Sequence, residues 1–263
     1  AVSGGWTRAV DDRLYDLAQR SVAATPDERI LIIEIDDSSL REIGRWPWWR
    51  AAHAELLTRL AAARPLAVGY DVLFLEPSTD DARLASAMQA AGYVVLPALV
   101  RRENGMARDE LTVPTPDLAD AAAAVGVAEV ILDGGGVVRR ADTATPINGR
   151  STGQMVALLA RHARPGLAFP QPQPFLLPLA PGDTFRRVPF AQVVKGEVPA
   201  ALMRDKIILV GATAGGMGDI YTVPSSAGGL MSGVQIQANL HNAVLSGRIV
   251  TSMTPNLLII FSM

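Results

Sequence analysis

The feature that most constrains the fold is an apolar run from Ile30 to Ile35 that stops at two consecutive aspartates. The run reads ILIIEI, and most of its residues are β-branched. Such a run predicts a strand that is buried on both faces, as in the middle of a parallel sheet. Asp36 and Asp37 then stand at the carboxyl end of this strand, where open α/β sheets place their ligand crevice.

Strand and helix patterns alternate through the first hundred residues. Apolar residues at helical spacing predict helices at 49–63 and from about 80 to Gly92, while strands are predicted at 66–71 and 93–97. This alternation is typical of right-handed βαβ units. We therefore expect an α/β fold with a mostly parallel central sheet flanked by helices.

The second half of the chain is less regular. We predict a hairpin whose strands, 126–131 and 137–143, flank Asp133-Gly134-Gly135-Gly136 as a mobile turn rather than an anion cradle. The stretch 165–182 holds six prolines and predicts an extended loop running over the surface. Three regular elements are also predicted: a helix at 152–163, a strand at 207–210 and a helix at 233–246.

Aspartates recur after three of the predicted strands. Asp71 is the last residue of the predicted strand at 66–71, and Asp219 lies in the glycine-rich loop after the strand at 207–210. If the strands are parallel, these residues and Asp36 share one edge of the sheet. Carboxylates there can hold a hard cation, receive a cationic or polyhydroxyl ligand, or be neutralised by an arginine such as Arg45, Arg50 or Arg139. For any single aspartate, a cap on the following turn is the competing interpretation.

Three of the four tryptophans lie in one short stretch, Arg45-Trp46-Pro47-Trp48-Trp49. Three indole rings can form a stacking or cation–π platform for a ligand. They can equally form a hydrophobic plug over the end of the sheet. The sequence leaves both interpretations open.

Composition excludes several classes of protein. The chain has no cysteine, which rules out disulfides and thiolate metal sites, and its three histidines are scattered. A net charge of −2 gives no bias toward nucleic acid. We expect no cofactor, no metal and no nucleic-acid partner. At the ends, 6–20 predicts an amphipathic helix, and the apolar run from Leu257 fits either a last core segment or the start of a membrane helix.

A set of motifs in fixed order resembles the type-two CHASE family, extracellular sensory domains attached to bacterial nucleotide cyclases, histidine kinases, diguanylate cyclases and serine/threonine kinases. Trp49 and Gln237 depart from the family pattern, which has proline and histidine there. The matching motifs are Tyr15-Asp16-Leu17, Ile35-Asp36-Asp37-Ser38-Ser39-Leu40, Gly44-Arg45-Trp46-Pro47-Trp48, Tyr70-Asp71-Val72-Leu73-Phe74, Gly136-Val137-Val138-Arg139-Arg140, Leu209-Val210-Gly211-Ala212-Thr213-Ala214 with Gly218-Asp219, and Gly233-Val234-Gln235-Ile236-Gln237-Ala238-Asn239.

The resemblance implies a topology that composition does not show. A transmembrane helix would precede residue 1, and the sensor domain, residues 1–256, would lie outside the cytoplasmic membrane. Residues 6–20 would be a juxtamembrane helix, and 257–263 would begin a second transmembrane helix. Because membrane cyclases and kinases work as dimers, we expect a homodimer in which 6–20 is a natural contact, although this helix could instead pack on the domain's own sheet.

The resulting expectation is a non-enzymatic sensor domain that relays a stimulus to a cytoplasmic effector, with an adenylate or guanylate cyclase as the first choice. A histidine kinase or diguanylate cyclase is the alternative effector. The rival functions are a metal-dependent hydrolase using Asp36, Asp37 and Asp71, and a protein-interaction module without a small ligand. No histidine is placed as a general base for the hydrolase. We expect the ligand to be an unknown extracytoplasmic molecule or protein bound by Asp36, Asp37, Ser38, Arg45, Trp46, Asp71, Thr213 and Asp219.

Overall fold

A seven-stranded sheet with helices on both faces forms the centre of the computed structural model, which describes residues 15–16, 24–102, 109–167, 174–181, 183–217, 219–224, 229–247 and 249. In chain order the elements are β1 (Ile30–Ile35), α1 (Asp37–Ile43), α2 (Arg50–Ala63), β2 (Ala67–Tyr70), α3 (Asp81–Ala91), β3 (Val94–Arg101), β4 (Glu110–Thr112), α4 (Pro116–Ala121), β5 (Ala124–Val127), β6 (Arg140–Ala141), β7 (Ala144–Ile147), β8 (Arg150–Gly153), α5 (Met155–Ala163), β9 (Phe175–Leu176), β10 (Arg186–Pro189), α6 (Phe190–Val194), α7 (Ala200–Met203), β11 (Ile207–Ala212), β12 (Ile220–Thr222), β13 (Leu230–Ser232) and α8 (Gly233–Ser246).

The central sheet is mostly parallel, as predicted. Its strands follow the order β10-β1-β11-β2-β3-β4, with β5 also paired to β3, and among these pairs only β3 and β4 are antiparallel. The late strand β11 lies between β1 and β2, with Ile30 opposite Ile207 and Ile207 opposite Ala67. The carboxyl ends of β1 and β2 therefore flank the end of β11.

Alternate residues of β1 enter two different cores. Ile30 and Ile32 face a core covered by α5 and α8. Leu31, Ile33 and Ile35 face a second core covered by α2, α3 and α6. All five side chains are buried, and burying each one stabilises the fold by about 2 kcal/mol. The continuous apolar run thus reflects a strand with a core on each face.

Helix α8 lies directly against the centre of the sheet. A Cβ atom at Gly211 in β11 would be 2.7 Å from the Cβ of Val234 in α8, so only glycine permits this approach. The predicted helix at 233–246 agrees with α8. Its first turn is closed by a capping box, in which Ser232 and Gln235 exchange side-chain and backbone hydrogen bonds. The amino end of α8 is therefore fixed beside the carboxyl end of β11.

Part of the proline-rich stretch is buried rather than exposed on the surface. Phe175, Leu177, Leu179 and Ala180 are buried in the core beneath α5 and α8, and Phe175 pairs with Ala141 across β6 and β9. The surface prediction is wrong for these residues. Burying the apolar side chains between the prolines stabilises the fold more than leaving them exposed would. This gain does not require the periodic pattern of a helix or strand.

The predicted hairpin at 126–131 and 137–143 is also wrong. Ala124–Val127 joins the central sheet in parallel with β3, and a single bridge, Ile131 with Arg140, is what remains of the hairpin. A hairpin forms instead between β7 and β8. Its turn residues Asn148 and Gly149 have φ values of 48° and 78°, which is the left-handed pair that an Asn-Gly turn supplies.

Two predictions concern residues outside the described ranges. Of the predicted helix at 6–20, the structure describes only Tyr15 and Asp16, and 257–263 are not described. Within the described ranges, no helix combines the length and the apolar character needed to cross a membrane.

Candidate ligand-binding site at the sheet edge

Asp36 and Ser38 take part in a helix cap. The Asp36 Oδ1 atom accepts a hydrogen bond from the Ser39 backbone N–H at 2.8 Å, and its Oδ2 atom accepts one from the Ser38 hydroxyl at 2.6 Å. Although burial opposes ionisation, these hydrogen bonds hold the pKa of Asp36 below its ordinary value. Asp36 is therefore the N-cap of α1. Asp37 lies exposed in the first turn.

The tryptophan stretch forms a hydrophobic plug at Trp48. This ring is buried and lies 4.8 Å from the ring of Phe190, and its indole N–H donates to the Gly44 carbonyl at 2.8 Å. The half-buried ring of Trp46 packs edge-on against Trp48 at 5.2 Å. Arg45 is exposed beside this plug.

The structure brings Asp71 and Asp219 together, and these two residues are named the acidic pair. The Asp71 backbone N–H donates to the Val210 carbonyl at 2.7 Å, which fixes Asp71 next to the end of β11. The chain after β11 turns back through Thr213, whose N–H donates to the Ile35 carbonyl at 3.1 Å. It then places Asp219 at the amino end of α8.

Gly233 is the contact that positions Asp219. The Gly233 N–H donates to the Asp219 carbonyl at 3.0 Å, and a Cβ atom at position 233 would lie 2.7 Å from the Asp219 Cγ. The absent side chain of Gly233 thus leaves the space that the carboxylate occupies. The amino end of a helix favours negative charge, so this placement partly offsets the cost of burying Asp219.

Electrostatics set the acidic pair apart from the other site candidates. Desolvation, followed by the charge of Asp219, raises the pKa of Asp71 to about 7. Desolvation also raises the pKa of Asp219, against a hydrogen bond from the Tyr221 hydroxyl that lowers it. Desolvation and both aspartates raise the pKa of Tyr221 to about 12. Asp71 thus changes its charge near neutral pH.

No arginine or lysine in the described part of the chain contributes to the pKa shifts of the acidic pair. Arg50 pairs instead with Asp81 at 2.9 Å, and Arg139 pairs with Asp16 and Asp133. Of the alternatives that the sequence left open, neutralisation by Arg50 or Arg139 is therefore not the one that these contacts support. Asp36 is also not among the charges acting on the pair, so only two of the three strand-end aspartates converge electrostatically.

A metal centre is not formed by the described residues. No group of three or more His, Cys, Asp or Glu side chains among them is placed to hold a metal ion. The trio Asp36, Asp37 and Asp71, which the hydrolase alternative requires, is not such a group. What the acidic pair can do chemically is bind a proton or a cationic group, because either removes the repulsion between its two carboxylates.

Sequence reasoning missed two residues of this site. Tyr221 lies two positions after Asp219, so strand periodicity places both side chains on one face, and this signal could have identified it. Gly233 belongs to a motif quoted above, but its contact with Asp219 depends on how the loop after β11 folds back. No local signal in the sequence marks that contact.

Comparison with known proteins identifies the family. Comparison with curated proteins and with solved structures gave no match. The model of the CHASE2 domain matches residues 1–263, the whole length of the chain. The chain therefore belongs to the CHASE2 domain family, a family of extracellular sensory domains.

Proposed function

We propose that this chain is the stimulus-sensing domain of a bacterial membrane receptor, placed outside the cytoplasmic membrane. In this proposal helices before and after the domain cross the membrane, and the receptor works as a homodimer. The signal passes to a cytoplasmic effector, for which an adenylate or guanylate cyclase is our first choice and a histidine kinase or diguanylate cyclase the alternative. Membership of a sensory-domain family supports the role.

The observation that carries this proposal is the uncompensated acidic pair. Desolvation raises the pKa of both carboxyl groups, and the charge of Asp219 raises that of Asp71 further. The fold supplies the pair with a tyrosine hydroxyl but with no cation among the described residues. Such an arrangement costs free energy when both groups are charged. It therefore responds strongly to anything that removes a charge, which is the property a sensor requires.

The stimulus in this proposal is a proton or a cationic ligand that acts at Asp71 and Asp219. A ligand can shift a conformational equilibrium only by its difference in affinity for the two states. The acidic pair provides that difference, because a positive charge binds more tightly when the two carboxylates are held together. Asp36 is given no part in this proposal, because both of its carboxylate oxygens accept hydrogen bonds in the α1 cap.

The test uses the full-length receptor in membranes and the proton as the probe. Output of the effector is measured while the external pH is changed between about 5 and about 8, the range that spans the raised pKa of Asp71. Asp71→Asn mimics the protonated residue, so we expect its output to stay near the wild-type level at low pH throughout.

Asp37→Asn is the matched control, since Asp37 is an exposed aspartate at the same edge of the sheet. The control receptor should respond as the wild type does. A receptor with Asp71→Asn that still follows external pH like the wild type, or a control that is equally impaired, contradicts the proposal.

A further inference from the structure

Arg139 joins two segments that are far apart in the sequence. Its Nε and Nη2 atoms donate to the two carboxylate oxygens of Asp16, both at 2.9 Å, and its Nη1 atom donates to Asp133. The guanidinium group is largely buried, with 15% of the side chain exposed. A partly buried, bidentate ion pair of this kind fixes the relative orientation of the two side chains as well as the distance between them. Arg139 therefore holds the N-terminal segment at residue 16.

The main chain of Arg139 holds the same segment a second time. The Arg139 carbonyl accepts a hydrogen bond from the Leu177 N–H at 2.9 Å, and the Leu177 carbonyl accepts one from the hydroxyl of Tyr15. Tyr15 is itself buried. A displacement of Arg139 is thus transmitted to both Tyr15 and Asp16.

Asp133 makes the other side of this contact rigid. Its Oδ1 atom accepts hydrogen bonds from the N–H groups of Gly135 and Val137, at 2.9 Å and 3.0 Å. The glycine turn is therefore closed around the Asp133 carboxylate by these two hydrogen bonds. Arg139 is consequently tied on this side to the turn and to the segment Val137–Val138 that precedes it.

The segment Val137–Val138 contacts β12, which leads to the acidic pair. The Val138 N–H donates to the Thr222 carbonyl at 2.9 Å, and Val137 pairs with Thr222 in parallel. Thr222 directly follows Tyr221, which hydrogen-bonds to Asp219. Direct contacts thus connect Asp219 with Asp16 through β12 and Arg139.

The β12–β13 pair is suited to movement. It forms a two-stranded sheet separate from the central sheet, and its residues Ile220 and Leu230 are 47% and 66% exposed. Fewer buried apolar contacts hold this pair than hold the central strands, so it can shift at a lower cost in free energy.

We propose that Arg139 is the positioning residue that couples Asp219, which directly precedes β12, to the N-terminal segment at Tyr15 and Asp16. When both carboxyl groups of the acidic pair are charged, their repulsion displaces Asp219 and β12, and Arg139 passes the displacement to the N-terminal segment. This inference rests on the proposed function, in which that segment leads to the membrane.

The test measures the reverse effect, since coupling between two sites is reciprocal. The apparent pKa values of the acidic pair are followed by carbon-13 NMR of aspartate carboxyl groups in the 263-residue chain, with signals assigned from Asp71→Asn and Asp219→Asn. Arg139→Lys keeps the charge but loses the two-pronged geometry. Asp16→Asn removes the partner instead, so either variant suffices if the other fails to fold.

We expect both variants to lower the apparent pKa of the pair by about one pH unit, which is a roughly tenfold coupling. A released β12 lets Asp219 move away from Asp71, which weakens the repulsion. The groups facing the pair are the two carboxyl groups and the Tyr221 hydroxyl, and the charge of Arg139 does not contribute. A shift therefore reports movement rather than a lost charge.

Arg50→Lys is the matched control, because Arg50 also has 15% of its side chain exposed and also pairs with a buried aspartate. The hydrogen bonds described for Arg50 go to Asp81 and to the Glu76 carbonyl, and none of them reaches β12. Unchanged pKa values in both test variants, or an equal shift in the control, overturn the inference. Neither result bears on the proposed function, which the receptor assay with Asp71→Asn tests without altering Arg139.

Discussion

Replacing Asp71 with asparagine should stabilise the chain at alkaline pH relative to the wild type. The folded state raises the pKa of Asp71 from 3.8 to about 7, so between these values the folded chain binds more protons than the unfolded chain. The contribution of Asp71 to the free energy of unfolding is therefore present below the lower value and is lost as the pH rises through the higher one. The whole shift corresponds to about 4 kcal/mol.

The measured quantity is the difference between variant and wild type. Burial lowers the pKa of His53 to about 3 and that of His241 to about 4, so both histidines add a slope of the opposite sign over much of the same range. Both proteins contain them, and their contributions cancel in the difference. Between about pH 5 and about pH 8, Asp71→Asn should gain about 3 kcal/mol over the wild type.

Urea unfolding followed by tryptophan fluorescence provides this measurement at each pH. Asp37→Asn serves as the control, because this exposed residue in the first turn of α1 should lose less than about 1 kcal/mol of helix-end stabilisation at every pH. The reasoning is refuted if the stability difference for Asp71→Asn is the same at both ends of the pH range, or if it falls as the pH rises.

Two further substitutions test contacts that position the site. Gly233→Ala should lower the free energy of unfolding by about 1–3 kcal/mol, because the added methyl group takes the space of the Asp219 carboxylate, whereas Gly215→Ala, with nothing within 4 Å, should be close to neutral in urea melts. Asp81→Ala should cost about 3 kcal/mol in the same assay, since it leaves the largely buried Arg50 without its counter-charge, and an unchanged midpoint would contradict that role for the pair.

Local sequence determines the longer helices and the central parallel strands. The continuous β-branched run of β1, the apolar spacing of α2 and α8, and the aspartate that ends β1 all appear in the correct class and close to the correct bounds. These signals are readable because each depends on a few neighbouring residues. The Asn148-Gly149 dipeptide is an equally local signal for a hairpin turn. The hairpin was predicted instead around the three glycines at 134–136, and that prediction is wrong.

The family and its sensory role also follow from the sequence, since ordered motifs along the chain identify it. The same motifs do not reveal which residues act together. Asp36 and Asp71 look alike in the sequence, because each is an acidic residue at the end of a buried strand. Asp36 caps α1 with both oxygens, whereas Asp71 has a raised pKa beside Asp219. Their different surroundings, rather than their sequence context, give them different chemistry.

Tertiary structure alone decides the pairings that make the site. Insertion of β11 between β1 and β2 brings residues after 207 next to residue 71, and the pair Arg139–Asp16 joins residues 123 positions apart. The strand order, and with it the long-range ion pairs, depends on the total apolar surface buried on both faces of the sheet. No short stretch of sequence determines that total. The sequence by itself therefore determines the elements and the family, while the packing of the two cores determines which carboxylates meet.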